Sequence, residues 1–192
     1  MARSREFDPN AVLDTAVELF WAKGYGQCGV ADVVDASGVA RYGIYQAFGD
    51  KDALYRAALQ RYQRIVRDNF LAGLRSPDAG LAAIEAHFER MLGMLAEGDR
   101  RGCLACVAAV ERAPLDSEVA AIVEDTLTLM RDAFSNAVDG ALARSEIRAV
   151  ERDWLIEYLV GLQRTLGTLV RSQTPAKEIE QCVRGALALL PA

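Results

Sequence analysis

The chain has 192 residues, 52% of them hydrophobic and 26% charged, and carries a formal net charge of −5. That length suits one large domain or two small ones, and the hydrophobic content excludes a disordered chain. No apolar run approaches the roughly 20 residues of a membrane span, and none follows Met1–Glu6, so neither a transmembrane helix nor a secretory signal is expected.

Taken in chain order, the apolar spacing predicts helices throughout. Alanine and leucine together supply 54 residues, a composition that favours packed helices. A first helix from about Asp8 carries Val12, Ala16, Leu19 and Phe20 and stops after Lys23 at Gly24-Tyr25-Gly26. A short helix from Val30 to Ser37 ends at Gly38, and another runs from Arg41 to Phe48. Asp50 caps a long helix expected to reach Leu74, through Tyr55, Leu59, Tyr62, Val66 and Phe70. Asp78 is the expected cap of the next, which carries Leu81, Ile84, Phe88, Met91 and Leu95. After the loop 98–102, a short apolar helix spans Cys103 to about Ala113, and Asp116 caps a long one to about Ser145. Leu155, Tyr158, Leu159, Leu162, Leu166, Leu169 and Val170 then keep helical spacing, and Pro175 opens a last helix to Leu190. The five prolines all fall at the edges of such segments. With no period-two alternation and no internal repeat, the expected fold is all-α, with about nine helices.

Residues 30–48, V-A-D-V-V-D-A-S-G-V-A-R-Y-G-I-Y-Q-A-F, hold the one constellation that points to a function. Two short helices flank a tight turn, with Val33, Val34, Val39, Ile44 and Phe48 able to lock them together. This is the pattern of a helix-turn-helix, whose second helix enters the major groove of DNA. Arg41, Tyr42, Tyr45 and Gln46 are donors that reach base edges and phosphates, and Ala40 is small enough for close approach. An ordinary pair of packed helices has the same periodicity.

The stretch G-Y-G-Q-C-G-V-A-D-V-V-D-A-S-G-V-A-R-Y-G-I-Y-Q-A-F-G-D-K-D-A-L-Y decides between the two. It resembles the N-terminal signature of the TetR/AcrR family of bacterial regulators, as does its lead-in F-D-P-N-A-V-L-D-T-A-V-E-L-F-W-A-K-G-Y. The resemblance covers about residues 7–60 without a gap. It implies a helix-turn-helix domain over 1–50 and a helical effector-binding and dimerisation domain over 51–192. It further implies that Ala40, Arg41, Tyr42, Tyr45 and Gln46 face double-stranded operator DNA, with Lys51 on a phosphate. Helix N-termini attract phosphate through their free N–H groups in any case. Arg3 and Arg5 are either a solvated tail or an arm over the adjacent groove. Two departures weaken the first helix of the motif. Cys28-Gly29 stands where the family usually has a threonine or serine, and Ala31 offers DNA nothing.

The charge distribution fits this division. Residues 1–67 sum to +1 and residues 68–192 to −6. The pI near 5.0 therefore describes the body and does not argue against a nucleic-acid partner.

For the body, the resemblance implies a small-molecule effector and a homodimer. Effector-pocket candidates are His87, Phe88, Met91, Met94, Cys103, Cys106, Val107, Met130, Phe134, Trp154 and Tyr158, each of which core packing explains equally well. His87, the single histidine, is either a buried hydrogen-bonded residue or a ligand contact. Leu155, Leu159, Leu162, Leu166 and Leu169, with Ile179, Val183 and Leu187, suit a four-helix interface with a second copy or burial within one subunit. Gly161, Thr165, Gly167 and Thr168 are small enough for helices to approach closely.

Cys103-Leu104-Ala105-Cys106 has neither the strand context of a redox motif nor a second pair for zinc. Two buried thiols account for it. Gly102-Cys103-Leu104 also resembles a signature of regulators that sense oxidants or electrophiles, which makes a thiol sensor at Cys103 the alternative. Four cysteines without a secretory leader fit free thiols in a reducing cytoplasm. An enzyme is not expected, since the sequence has no phosphate loop, no Ser/His/Asp or Cys/His set and no metal cluster. No cofactor and no membrane partner is expected either.

Overall fold

The computed structural model describes residues 7–148 and 151–190. Arg3, Arg5 and Pro191 lie outside them. Nine α-helices and no strand are found among the described residues: α1 (Pro9–Gln27), α2 (Val30–Ser37), α3 (Arg41–Phe48), α4 (Lys51–Ile65), α5 (Leu81–Ala96), α6 (Leu104–Glu111), α7 (Ser117–Ala143), α8 (Arg152–Arg171) and α9 (Ala176–Leu187). None of them is long and apolar enough to cross a membrane.

Local chemistry explains most of the ends. Asp8 caps α1 by accepting from Asn10 N–H (2.9 Å), and the helix breaks at Gly24, where φ is 79°. Asp50 accepts from Ala53 N–H (2.8 Å) and starts α4. Asp116 accepts from Glu118 and Val119 N–H (3.0 and 3.1 Å) and starts α7.

For two of the expectations that needed correction, the cause lies far along the chain. The helix from Asp50 does not run to Leu74. It ends at Ile65 and opens into a π-helical turn, Val66–Phe70, closed by Leu71 N–H donating to Val66 O (2.9 Å). Leu71 and Leu74 then turn into the core, and the Asn136 amide of α7 donates to Leu74 O and Ser76 O (2.8 and 2.9 Å). Asp78 does not cap α5. Gly80 occupies that position, and the Glu146 carboxylate accepts from Leu81 N–H (2.8 Å). The short and last helices also end earlier than expected, at Glu111 and Leu187.

α1 packs along α4 and also touches α2 and α6, while α7 lies between α4, α5, α6 and α8. The N-terminal three helices therefore sit on the body through α1 and α4. Ion pairs tie α4 to the link between α6 and α7: Arg56 reaches Asp116 (3.0 Å), and Arg112 reaches Asp52 (3.1 Å). Asp116 is thus a helix cap and an ion-pair partner at once. Asp116→Ala is expected to cost roughly 0.5–2 kcal/mol in urea unfolding, the usual range for a lost cap, and Asp116→Asn less, since asparagine caps as well. Equal losses for the two variants would show that the cap contributes nothing.

Candidate functional site

The outer face of α3 is built from behind. Gly38, at φ 69°, ends α2 with its N–H on Val34 O (2.9 Å) and turns the chain into α3. Val33 and Ile44 are fully buried between the two helices, with Val34, Val39 and Phe48 half-buried around them. Gly43 lets α3 sit tightly on its support, because a Cβ there would lie 3.0 Å from the Phe7 ring and 3.2 Å from Val39. With the inner face so fixed, Arg41, Tyr42, Tyr45 and Gln46 all point outward and are exposed. Tyr42 is 77% exposed and Tyr45 44%, unusual for aromatic side chains that have no packing role. No side chain caps α3 after Ala40, which leaves its first N–H groups open to an anion.

Lys51 is half-buried at the start of α4, its ammonium 4.0 Å from the Tyr25 ring centre. The Arg112 guanidinium lies 4.3 Å from the same centre, so Tyr25 of α1 gathers one cation from the start of α4 and one from the end of α6. At the N-terminus of α2, where a hydroxyl is missing, Asp32 supplies the cap by accepting from Gly29 N–H (2.7 Å). Its ion pair with Lys23 (2.5 Å) holds the carboxyl below the usual range.

In the body, an enclosed cavity of about 30 Å³ is lined by Trp21, Tyr62, Val66, Phe70, Leu71, His87, Met91, Met94, Gly102, Cys103, Met130 and Gln163. Of the residues singled out from sequence, His87, Met91, Met94, Cys103 and Met130 meet here. Phe88 and Phe134 are buried beside it, stacked at 5.9 Å, and form core. Val107 and Cys106 are half-buried on α6 and do not line it. Trp154 and Tyr158 lie elsewhere, stacked on each other at 5.4 Å, with the Tyr158 hydroxyl on Ala186 O (2.8 Å). Trp21, Tyr62, Phe70 and Gln163 line the cavity and escaped sequence reasoning, because their spacing marks them only as core or helix surface. A recess of about 350 Å³ between α4 and α7 is larger, but it is open to solvent and bordered by Arg64, Arg67 and Asp125.

Both nitrogens of His87 face oxygens, Nδ1 that of Phe70 (3.1 Å) and Nε2 Oε1 of Gln163 (2.8 Å). Burial lowers its pKa and outweighs both hydrogen bonds. The folded chain therefore binds this proton less tightly than the unfolded chain. The stability due to the neutral ring is complete above about pH 6.5 and is lost as pH falls below it, by up to about 1.4 kcal/mol per unit. Urea unfolding at pH 7.0 and 5.5 is expected to show this extra loss in wild type and not in His87→Gln. Parallel losses would rule it out.

Cys103 is buried at the N-cap of α6. Hydrogen bonding from Cys106 first, and from the α6 backbone and the Tyr62 hydroxyl, holds its thiol below the ordinary value, and the same pairing raises Cys106.

The leucine stripe of α8 turns inward. Leu155, Leu159, Leu162 and Leu166, with Ile179 and Val183 of α9, are buried within the single subunit, and Leu169 and Leu187 are partly so. As contacts with a second copy, the first six are corrected: the subunit's own core already covers them. The outward face carries Trp154, Gly161, Thr165 and Thr168 on α8, Cys182 and Gly185 on α9, and Leu189 just after it. A Cβ added at Gly161 or Gly185 would meet nothing within 4 Å.

Residues 12–58 match the family model described as bacterial regulatory proteins, tetR family. The chain is 28% identical to the uncharacterised HTH-type transcriptional regulator YezE of Bacillus subtilis (strain 168), over 99% of this chain and all of that one. It is 43% identical over 60 residues to the HTH-type transcriptional repressor ComR of Escherichia coli (strain K12), which is 31% of this chain and 29% of ComR. Among solved structures, a cysteine-substituted form of the TetR-family regulator CifR in complex with 26-bp operator DNA superposes with a TM-score of 0.77. That pair shares 22% identity over 99% of this chain and all of the other, a likeness of fold.

Proposed function

We propose that the chain is a member of the tetR family of bacterial regulatory proteins, a DNA-binding transcriptional regulator that acts as a cytoplasmic repressor. It binds a pseudo-palindromic operator as a homodimer and is released by a small-molecule effector. The observation that carries this reading is the α3 face, where Arg41, Tyr42, Tyr45 and Gln46 are exposed on a helix whose other side is locked in place. Lys51, at the start of α4, adds a phosphate contact. Residues 1–50 hold the DNA-binding unit and 51–192 the effector-binding and dimerising body.

Two α3 helices reach successive major-groove half-sites, about 34–36 Å apart, only when a twofold axis relates them. The outward face of α8 and α9 supplies that axis. Its open glycines permit close helix approach, and Trp154 and Leu189 are large apolar groups left exposed for a partner. The effector occupies the cavity around His87 and Cys103. At about 30 Å³ it is far below the roughly 300–1,000 Å³ of a ligand site, so binding selects a more open form of the body.

Gel shift with the promoter of the chain's own or a neighbouring gene tests the reading. Specific binding that weakens steeply with salt is expected, from a species of twice the chain mass. No shift at low salt overturns it. A second reading rests on Cys103, whose lowered pKa and place in the cavity suit a thiol that senses oxidants or electrophiles. A Cys103→Ser protein that keeps the full response to the inducer overturns that alternative.

A further inference from the structure

Most of the cavity wall belongs to the body, but one panel does not. Trp21 stands in the last turn of α1 before the break at Gly24, and its ring meets Tyr62 and Phe70 edge-on at 5.0 and 6.2 Å. The loop before α6 holds it from the other side. Trp21 Nε1–H donates to Gly102 O (2.8 Å), and the Arg101 guanidinium covers the indole at 3.8 Å while pairing with Glu18 of the same helix. From α8, the Arg171 guanidinium donates to Trp21 O and Ala22 O (3.1 and 2.7 Å). A ring that lines the cavity is therefore fixed rigidly to the helix on which α2 packs.

Resting on the reading of this cavity as the effector site, we propose that Trp21 carries its occupancy to the DNA-binding unit directly, through α1. The occupant is a small uncharged molecule, since the lining has no Asp, Glu, Lys or Arg and both nitrogens of its one histidine are already paired, with Phe70 O and Gln163 Oε1. The cavity has room for about one water, so any organic occupant displaces wall. Displacing Trp21 strains its bonds to Gly102 and Arg101 and tilts α1, and with it the α2–α3 pair. The Tyr62 hydroxyl, which accepts from Leu104 N–H (3.3 Å), offers the competing route through α4 and α6.

The probe is methyl methanethiosulfonate. The Cys103 thiolate attacks its sulfenyl sulfur, the S–SCH₃ bond forms, methanesulfinate leaves, and the thiol proton goes to solvent. This places a methylthio group in the cavity of the full-length protein, carrying Cys106→Ser and Cys182→Ser, with the site confirmed by peptide mass spectrometry. Operator affinity is compared before and after modification within each variant. A loss of about 5- to 150-fold is expected with Trp21 present, and under about 5-fold with Trp21→Phe. Val66→Phe, which fills the same cavity from the π-helical turn after α4, asks the same question without a reagent when crossed with Trp21→Phe. In a Trp154→Phe background Trp21 is the single tryptophan, and its emission is expected to shift on modification. Equal losses with and without Trp21 overturn the α1 route and leave the cavity reading standing. No loss in any filled variant overturns both.

Discussion

Tyr42→Ala is expected to weaken binding to the operator by about 1–3 kcal/mol, the usual worth of a base-edge contact, and to leave folding stability within about 0.5 kcal/mol of wild type. The second half of that result follows from burial. Tyr42 is 77% exposed, so its removal opens no cavity and orphans no buried partner. Ile44, two residues on, is 1% exposed and behaves in the opposite way. Ile44→Ala is expected to cost roughly 2–5 kcal/mol of stability, and to affect DNA binding only through loss of the fold. Arg41 separates two modes of contact. If it holds phosphate, Arg41→Ala lowers the salt slope of binding by about one and weakens all sequences alike. If it reads a base, it relaxes preference at one operator position. Fluorescence anisotropy with operator and scrambled duplexes across salt concentrations, beside urea unfolding, measures all of these. Wild-type affinity in Tyr42→Ala would remove α3 from the interface.

What was legible in the sequence was what neighbouring residues decide. Gly38 ends α2, and Asp50 and Asp116 start α4 and α7, because a left-handed turn or a carboxylate on a nearby N–H needs no distant partner. The helix-turn-helix was readable for the same reason, since the apolar residues that join its two helices, Val33 to Phe48, lie within twenty residues. The end of α4 was not, because Asn136 lies 62 and 60 residues beyond the carbonyls that it holds. The cap of α5 was hidden in the same way, with Glu146 standing in for a side chain that Gly80 lacks. The cavity drew five residues from the sequence list, yet four of its walls are aromatic or amide side chains that periodicity cannot tell from core. The α8 stripe marks a helix with a well-defined apolar face, and period alone does not say whether that face meets its own subunit or another. Burial assigns it to its own.

Gly102→Ala is expected to be among the most damaging single-methyl additions in the chain, because two penalties coincide at this residue. Its φ of +65° lies in the left-handed region, which costs an L-residue with a Cβ roughly 1–2 kcal/mol. The added Cβ would lie 2.3 Å from Gly167 O and 3.2–3.3 Å from the Arg171 backbone and Cβ, all parts of α8 that cannot swing away. Overpacking of that kind adds roughly 1–3 kcal/mol. Gly98 separates the two penalties. Its φ is +92°, but nothing lies within 4 Å of an added Cβ, so Gly98→Ala carries the strain without the clash. Urea unfolding at fixed protein concentration is expected to place Gly102→Ala lowest, Gly98→Ala between, and wild type highest, with the thermal midpoint falling about 2–4 °C per kcal/mol. The functional consequence follows from the same atoms. Gly102 O holds the Trp21 indole, so relief of the clash by moving this loop off α8 also loosens Trp21. Operator affinity of Gly102→Ala should then fall by more than its unfolded fraction explains, whereas Gly98→Ala should lose binding only as it unfolds. If both variants bind in proportion to their folded fractions, the loop before α6 supports the fold and carries no signal to α1.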